Sequence, residues 1–176
     1  MNILLLSDSH AKSISEIPLF LKEMRGDLDL IFHAGDMTGD DFMRGLEDIA
    51  PVIAVRGNMD GGGLTGNLPE RVQCSHLGWK FGIIHGRGAP ESVPVYARSM
   101  FSDPDLIVFG HTHTPFLDVS RGVVLLNPGS LSSPRNGAPQ SYARLILSKQ
   151  EMDCRILTNT GNTLEEIARH TVRRSL

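Results

Sequence analysis

Five short polar segments of this chain each follow an apolar run that has the length and composition of a buried β-strand. The side chains that they offer carry oxygen or imidazole nitrogen, and none of the segments contains cysteine. They are Ser7-Asp8-Ser9-His10, Gly35-Asp36, Gly57-Asn58, His85-Gly86 and Gly110-His111-Thr112-His113. Ligands of open α/β sheets bind beyond the carboxyl ends of strands, so this repeated arrangement predicts a fold in which strand ends share one site.

The first third of the chain alternates strand and helix patterns. Apolar runs at residues 3–6, 28–32 and 51–55 predict strands. Apolar positions at helical spacing predict helices at residues 15–25 and 40–49. A β-α-β-α-β order predicts a parallel sheet with right-handed connections.

The remainder of the chain carries more antiparallel signals, including Gly-containing turns between short apolar runs. The predicted strands lie at residues 71–77, 80–85, 105–109, 116–119, 123–126, 141–147 and 152–157, and the predicted helices at residues 92–101 and 164–174. We find no linker, repeat or low-complexity tract. The predicted fold class is therefore α/β with an α+β character: a single domain over residues 1–176 in which two sheets pack together.

Composition limits the classes of partner. The 176 residues carry a formal net charge of −3, so the chain has no strong nucleic-acid signature and no general attraction to anionic membranes. No stretch approaches the roughly 20 apolar residues that cross a bilayer. The short apolar start lacks the basic residues of a secretory signal, and Cys74 and Cys154 form no CxxC pair. We expect a cytoplasmic protein with reduced thiols.

Each polar segment alone is compatible with ordinary turn chemistry, because Asp, Asn, Ser and Gly favour turns. Together, however, they bring seven donor side chains to strand ends. These are Asp8, His10, Asp36, Asn58, His85, His111 and His113. Carboxylate and imidazole donors without thiolate suit divalent ions, with manganese as the first expectation and nickel, iron or zinc as alternatives. The set is large enough for two ions side by side, an arrangement that hydrolyses phosphate esters.

The ordered set of five segments resembles the signature of the calcineurin-like metallophosphoesterases. The segment Asn127-Pro128-Gly129-Ser130 resembles the short, single-domain bacterial and archaeal phosphodiesterase branch of that superfamily. The resemblance extends over about residues 1–147. It implies a two-sheet β sandwich flanked by helices and a small phosphodiester substrate. It leaves two alternatives: phosphomonoesterase activity on the same fold, or a non-catalytic scaffold like the relative in the retromer coat.

The resemblance also implies a role for each donor. One metal would be bound by Asp8, His10, Asp36 and His113, and the other by Asp36, Asn58, His85 and His111. Asp36 would bridge the two metals together with a hydroxide. As catalytic residues, Asp36 and Asn58 would position that hydroxide and the phosphate, and no protein nucleophile would be needed.

One position departs from the family pattern. Many members have a histidine directly after the asparagine, which is thought to protonate the leaving group, and this chain has Met59 there. Methionine cannot donate a useful proton. Asp60 is an alternative acid, although an Asp in a turn more often braces the loop. The change predicts a preference for substrates with good leaving groups.

Other residues near the five segments are weaker candidates. Arg56 and Arg135 are candidate substrate-binding residues because guanidinium groups suit phosphate, although both could equally face solvent. His33 is expected to support the ligands rather than to bind metal. Residues 61–66 formally match GxGxxG, but they do not follow a strand directly and precede Asn67-Leu68-Pro69, so residues 61–69 are expected to form a mobile loop beside the site. Self-association of the chain into a homo-oligomer remains open.

Overall fold

The computed structural model describes residues 1–16, 18–159 and 163–174. The strands are β1 (Asn2–Leu6), β2 (Leu30–His33), β3 (Val52–Ala54), β4 (Arg71–His76), β5 (Trp79–Ile84), β6 (Leu106–Val108), β7 (Phe116–Ser120), β8 (Val123–Asn127), β9 (Ser141–Leu147), β10 (Glu151–Asn159) and β11 (Leu164–Arg173). The helices are α1 (Phe20–Glu23), α2 (Asp40–Glu47), α3 (Gly63–Gly66) and α4 (Val93–Ser99), with 3₁₀ turns at Ile14–Glu16 and Pro90–Ser92.

The strands form two mixed sheets. The first has the order β11-β10-β9-β1-β2-β3, and the second has the order β4-β5-β6-β8-β7. In the first sheet β1, β2 and β3 run parallel while β9, β10 and β11 are antiparallel. In the second, β5, β6 and β8 run parallel between two antiparallel edge strands. The predicted two-sheet α/β fold with flanking helices is confirmed. No helix in the described ranges has the length and apolar character needed to span a bilayer.

The continuous apolar run of β1 explains how the layers stack. Successive strand residues face opposite sides of a sheet, so Ile3 and Leu5 enter the core between the two sheets. Leu4 and Leu6 instead enter a second core with Phe42 of α2. All of these side chains are buried. The outer face of the second sheet is covered in the same way by α4. Helices therefore flank the paired sheets, as a sheet that is apolar on both faces requires.

The prediction of a helix at residues 164–174 is wrong, because this segment forms β11. It pairs antiparallel with β10 over its whole length. Its side chains alternate: Ala168 and Val172 pack on the core, while Arg169 and Thr171 on the other face bond to the buried carboxylate of Asp153. Glutamates near the start of the segment suggested a helix N-terminus, but pairing with an adjacent strand outweighs weak local propensity.

Two other predictions need correction. The helix expected at residues 15–25 is reduced to the 3₁₀ turn and the short α1, and residue 17 lies outside the described residues. The stretch at residues 61–69 is not simply a loop, because it contains α3. The carboxylate of Asp40 accepts hydrogen bonds from the backbone N–H groups of Leu64 and Thr65 and so anchors that turn.

Candidate metal centre

Register between the parallel strands brings the polar segments to one edge. Leu6 of β1 pairs with His33 of β2, and His33 pairs with Ala54 of β3. The three strands therefore end at the same level, and Asp8, Asp36 and Asn58 follow those ends. In the second sheet β5 and β6 are parallel, so His85 and the segment that holds His111 and His113 also leave one edge. The site lies where these two edges meet.

The first donor group contains Asp8, His10, Asp36 and His113. One ligand atom from each of these side chains lies within 4.8 Å of all the others. His10 Nε2 is 3.1 Å from His113 Nε2 and 3.8 Å from Asp36 Oδ2. His113 Nε2 is 3.4 Å from Asp8 Oδ1. Two carboxylates and two imidazoles converging on one point form a donor set that suits a divalent cation.

The second donor group contains Asn58, His85 and His111. Asn58 Oδ1 is 3.2 Å from His85 Nε2 and 3.0 Å from His111 Nδ1. His85 Nε2 is also 3.3 Å from Asp36 Oδ2 and 3.9 Å from Asp8 Oδ1. Asp36 thus contacts donors of both groups, through His10 on one side and His85 on the other.

Backbone carbonyls orient three of the histidine rings. His85 Nδ1 lies 2.7 Å from the carbonyl oxygen of Ala34, and His113 Nδ1 lies 2.5 Å from that of Ser133. A proton on Nδ1 of each ring leaves Nε2 free to bind a metal. His111 is turned the other way, because its Nε2 is 3.2 Å from the carbonyl oxygen of Gly88. Its Nδ1 therefore faces Asn58.

Burial and mutual contacts set the charges of the cluster. Burial raises the pKa of Asp8 to about 7. Burial would also raise the pKa of Asp36, but the hydrogen bond and charge of His85 outweigh it and lower that pKa. Burial would lower the pKa of His85, but the hydrogen bond to Asp36 and the charge of Asp8 outweigh it and raise that pKa. A buried carboxylate keeps its negative charge more readily when a positive charge lies nearby. These two carboxylates therefore suit a site that binds cations.

The other three donor histidines favour the neutral form that metal binding requires. Burial, reinforced by the charge of Arg135, lowers the pKa of His10, of His111 and of His113. A neutral imidazole has a free lone pair to donate, whereas an imidazolium does not. The donor chemistry of the described residues therefore fits two divalent ions.

Backbone strain is concentrated at the same residues. Asp8, His10, Asp36, His111 and His113 all have positive φ, between 42° and 73°. Such left-handed conformations are uncommon outside glycine, cost of order 1–3 kcal/mol each, and cluster at functional sites. The strain at these donors is therefore an independent sign that the fold holds them for a purpose other than stability.

Asp60 braces the loops that carry the donors. It is buried, and its carboxylate accepts hydrogen bonds from the backbone N–H groups of Asp36, Thr38 and Gly57 at 2.8–2.9 Å. This is the bracing geometry that the sequence favoured for an Asp in this turn. The backbone N–H of Met59 donates to Asp36 Oδ1 at 2.7 Å, so this loop also orients the carboxylate of Asp36.

His33 lies behind the donors and supports the loops that carry them. Burial lowers its pKa to about 3, which keeps the ring neutral. Nδ1 accepts from the N–H of Gly35, so Nε2 carries the proton and donates to Ser9 Oγ at 2.8 Å. Both ring nitrogens are thereby occupied.

The segment at residues 127–130 is hydrogen-bonded to the loops that carry the donors. The hydroxyl of Ser130 donates to the carbonyl oxygen of Asp8, and Asn127 Nδ2 donates to the carbonyl oxygen of Gly110. These bonds tie the loops of the two sheets together. The sequence singled out this segment through its family resemblance.

A cavity of about 710 Å³ opens beside the second donor group. Its lining includes Asn58 and His85 together with Arg56, Arg71, Arg87 and Tyr96. Of the two arginines predicted to bind substrate, Arg56 lies here, bonded to the carbonyl oxygen of Gly66 and to Glu70. Arg135 is not part of this lining, but it lies close to the donors: it is exposed, its backbone N–H donates to the carbonyl oxygen of His113 at 3.4 Å, and its charge acts on His10, His111 and His113.

Sequence reasoning missed Arg71, Arg87 and Tyr96. The available signal for Arg87 was its position two residues after His85. The signal for Arg71 was its place at the start of a predicted strand, whose hairpin partner ends at His85. Tyr96 had no comparable signal, because it reaches the cavity through helix packing.

Fold and site together define a class: a two-sheet α/β protein with an Asp/His cluster suited to divalent metal ions. A model of the calcineurin-like phosphoesterase superfamily domain matches residues 1–150, and the chain belongs to that superfamily, whose members depend on metal. It is 38% identical over 141 residues to a probable metallophosphoesterase from Methanocaldococcus jannaschii, covering 77% of this chain and 70% of that protein.

Two further likenesses extend the comparison. The chain is 32% identical over 107 residues to phosphodiesterase YfcE of Escherichia coli, covering 57% of this chain and 55% of YfcE. The fold is similar to that of vacuolar protein sorting 29 from Cryptosporidium parvum, with a TM-score of 0.82 over 98% of both chains. At 21% identity, this second likeness shows the fold alone.

Proposed function

We propose that this protein is a two-metal phosphodiesterase that acts on small phosphodiesters. The observation that carries the proposal is the position of Asp36, whose Oδ2 lies 3.8 Å from His10 Nε2 and 3.3 Å from His85 Nε2. One carboxylate between two imidazole-containing groups is what a shared ligand of two ions requires. Manganese is our first expectation for the metal, followed by nickel, iron and zinc.

We assign the residues of the site to three roles: binding the first ion, binding the second ion, and orienting Asp36 and the phosphate. Asp8, His10, Asp36 and His113 would hold one ion, and Asp36, Asn58, His85 and His111 the other. When bound, such a pair supplies Lewis acidity and an activated water for attack on phosphorus. The N–H of Met59 donates to Asp36 and orients it, and the amide of Asn58, which is exposed beside the cavity, would orient the phosphate.

A diester is favoured over a monoester for two reasons. The cavity beside Asn58 offers room for a second ester arm, since its volume of about 710 Å³ is that of a typical small-molecule site. In addition, the relative YfcE is named a phosphodiesterase. Asp60 is assigned a positioning role in this proposal, because its carboxylate is already bonded to three backbone N–H groups.

The test compares bis-p-nitrophenyl phosphate with p-nitrophenyl phosphate. Protein stripped by a chelator is reloaded separately with manganese, nickel, zinc or magnesium, and the Asp36→Asn variant is run in parallel. Metal-restored hydrolysis that prefers the diester, and that is lost in the variant, is the expected result. A preference for the monoester would replace the proposal with phosphatase activity.

A fully folded, metal-loaded protein that hydrolyses neither ester would contradict the proposal. That outcome would shift weight to a non-catalytic role, for which the likeness to vacuolar protein sorting 29 supplies a fold precedent. Circular dichroism on the same samples separates this outcome from simple unfolding.

A further inference from the structure

Two guanidinium groups line the cavity beside the second donor group without an acidic partner. Arg71 and Arg87 are both exposed, and within the described residues neither forms an ion pair with an acidic side chain. The chain as a whole carries a net charge of −3. The wall of this cavity therefore carries positive charge that no acidic side chain in the described part of the chain offsets.

Both arginines lie close to the donor His85. Arg71 begins β4 and lies opposite Ile84, the last residue of β5, and His85 follows Ile84 directly. Residues directly opposite in an antiparallel pair have their Cβ atoms about 5 Å apart. Arg87 lies two residues beyond His85. The two arginines thus flank the strand end that supplies a donor to the second group.

Local contacts hold both side chains at the cavity wall. Arg71 donates from Nη1 to the carbonyl oxygen of Met100 at 3.1 Å, which leaves its other N–H groups available. The guanidinium of Arg87 stacks on the ring of Tyr96, with Cζ 4.7 Å from the ring centroid. Stacking on an aromatic face orients a guanidinium without using its N–H donors.

The other charged groups of the cavity are already paired. Glu70 accepts from Arg56 at 3.0 Å, so these two charges offset each other. Asp60 is buried, and its carboxylate faces three backbone N–H groups. The positive charge that remains for a ligand is that of Arg71 and Arg87.

We propose that Arg71 and Arg87 form a subsite for a second anionic group of the substrate. This inference rests on the proposed function and narrows it: the substrate is a phosphodiester in which one ester arm carries a further phosphate. Phosphate is the best match because guanidinium binds it through paired N–H donors with charge assistance. The two residues are specificity-determining and take no part in bond breaking.

The experiment uses two matched chromogenic diesters and the metal-loaded protein. One is thymidine 5′-(p-nitrophenyl phosphate), and the other is the same compound with a 3′-phosphate. The leaving group is identical, so a difference in kcat/KM reports the second phosphate. We expect an advantage of about tenfold or more for the 3′-phosphorylated diester, expressed mainly in KM, since hydrogen bonds between charged groups are the strong class.

Substitution of each arginine tests whether it is responsible for the higher kcat/KM on the 3′-phosphorylated diester. In Arg71→Gln and in Arg87→Gln, the ratio of kcat/KM for the two diesters should fall toward one. Arg25→Gln is the matched control, because Arg25 is exposed and precedes β2, at the sheet edge opposite the donors. This control should keep the wild-type ratio. Equal kcat/KM for the two diesters in the wild type, or a ratio that both cavity variants retain, would overturn the inference.

A binding measurement tests the phosphate subsite independently of whether the protein hydrolyses esters. Titration calorimetry compares thymidine 3′,5′-bisphosphate with thymidine 5′-monophosphate on wild type and on both cavity variants. Tighter binding of the bisphosphate that depends on Arg71 and Arg87 supports the subsite even if no ester is hydrolysed. Equal affinities overturn it even if bis-p-nitrophenyl phosphate is cleaved.

Discussion

Gly57 lies directly against the carboxylate of Asp36. A Cβ at residue 57 would be 2.1 Å from Asp36 Oδ1 and 2.4 Å from the backbone nitrogen of Asp36. Neither atom can move away cheaply, because Oδ1 accepts from the N–H of Met59 and the backbone N–H of Asp36 donates to Asp60. Residue 57 must therefore be glycine to allow this close approach to the carboxylate of Asp36.

Substituting Gly57 by Ala should displace Asp36 and weaken metal binding and hydrolysis together. Gly61→Ala is the matched control, because a Cβ at residue 61 meets nothing within 4 Å. Metal content by elemental analysis and kcat/KM on bis-p-nitrophenyl phosphate are measured on both variants. Full metal content in Gly57→Ala would show that the contact with Asp36 is unimportant.

The Asp36→Asn variant should lose both metals at once, because Asp36 contacts donors of both groups. Loss of the imidazole in His10→Ala should affect one metal more than the other. Substituting even the partners that orient a ligand costs about 10–100-fold in metal affinity, so removal of a shared ligand should cost at least that much. Elemental analysis after dialysis gives the stoichiometry, and two full metals in Asp36→Asn would contradict the assignment.

Met59 should limit the enzyme to esters with good leaving groups. It is 58% exposed beside the donors, and its thioether cannot protonate a leaving alkoxide. A general acid contributes about 10²–10⁴-fold, so nitrophenyl diesters should be cleaved far faster than alkyl diesters. Met59→His should narrow this difference, whereas Met59→Leu should not. Equal rates for both esters in the wild type, with chemistry limiting, would refute the prediction.

Asp60→Asn tests whether Asp60 braces the loops or donates a proton. The amide NH₂ would face N–H groups that now donate to a carboxylate oxygen, so we expect a loss of stability of about 1–3 kcal/mol. A bracing role predicts equal losses of activity on nitrophenyl and alkyl diesters. A loss confined to alkyl diesters would instead identify Asp60 as the acid.

Asp153 should make stability depend on acid pH. Burial would raise its pKa, but hydrogen bonds from Arg169, Arg155 and Thr171 outweigh burial and lower it. A carboxylate with a lowered pKa in the folded state stabilises the fold above its unfolded value of about 3.9, and this contribution is lost as pH falls through the folded value. Asp153→Asn should therefore reduce stability by about 1–3 kcal/mol at pH 7, and by progressively less below about pH 4.

Urea denaturation at a series of pH values measures this difference. Asp103→Asn is the control: Asp103 pairs with Lys80 at the surface, where ion pairs contribute little. Its stability should match that of the wild type. A difference between Asp153→Asn and wild type that stays constant down to pH 2 would contradict the linkage.

Much of the architecture was readable from local pattern. Continuous apolar runs identified β1 and β2, and turn residues identified the hairpins, because burial on both faces and tight turns each leave a distinct composition. The segment that forms β11 is not a helix, because it pairs with β10 and because Arg169 bonds to Asp153, 16 residues earlier in the chain. Propensity within ten residues cannot report such contacts.

For the site, the sequence by itself determined which donors exist and that each follows a strand. The tertiary structure decided how they are arranged. Strand register brings Asp36 between His10 and His85, and hydrogen bonds to backbone carbonyls determine which ring nitrogen of His85 and of His111 faces inward. These relations join residues that are distant along the chain, and their distances follow from packing rather than from local residue preferences.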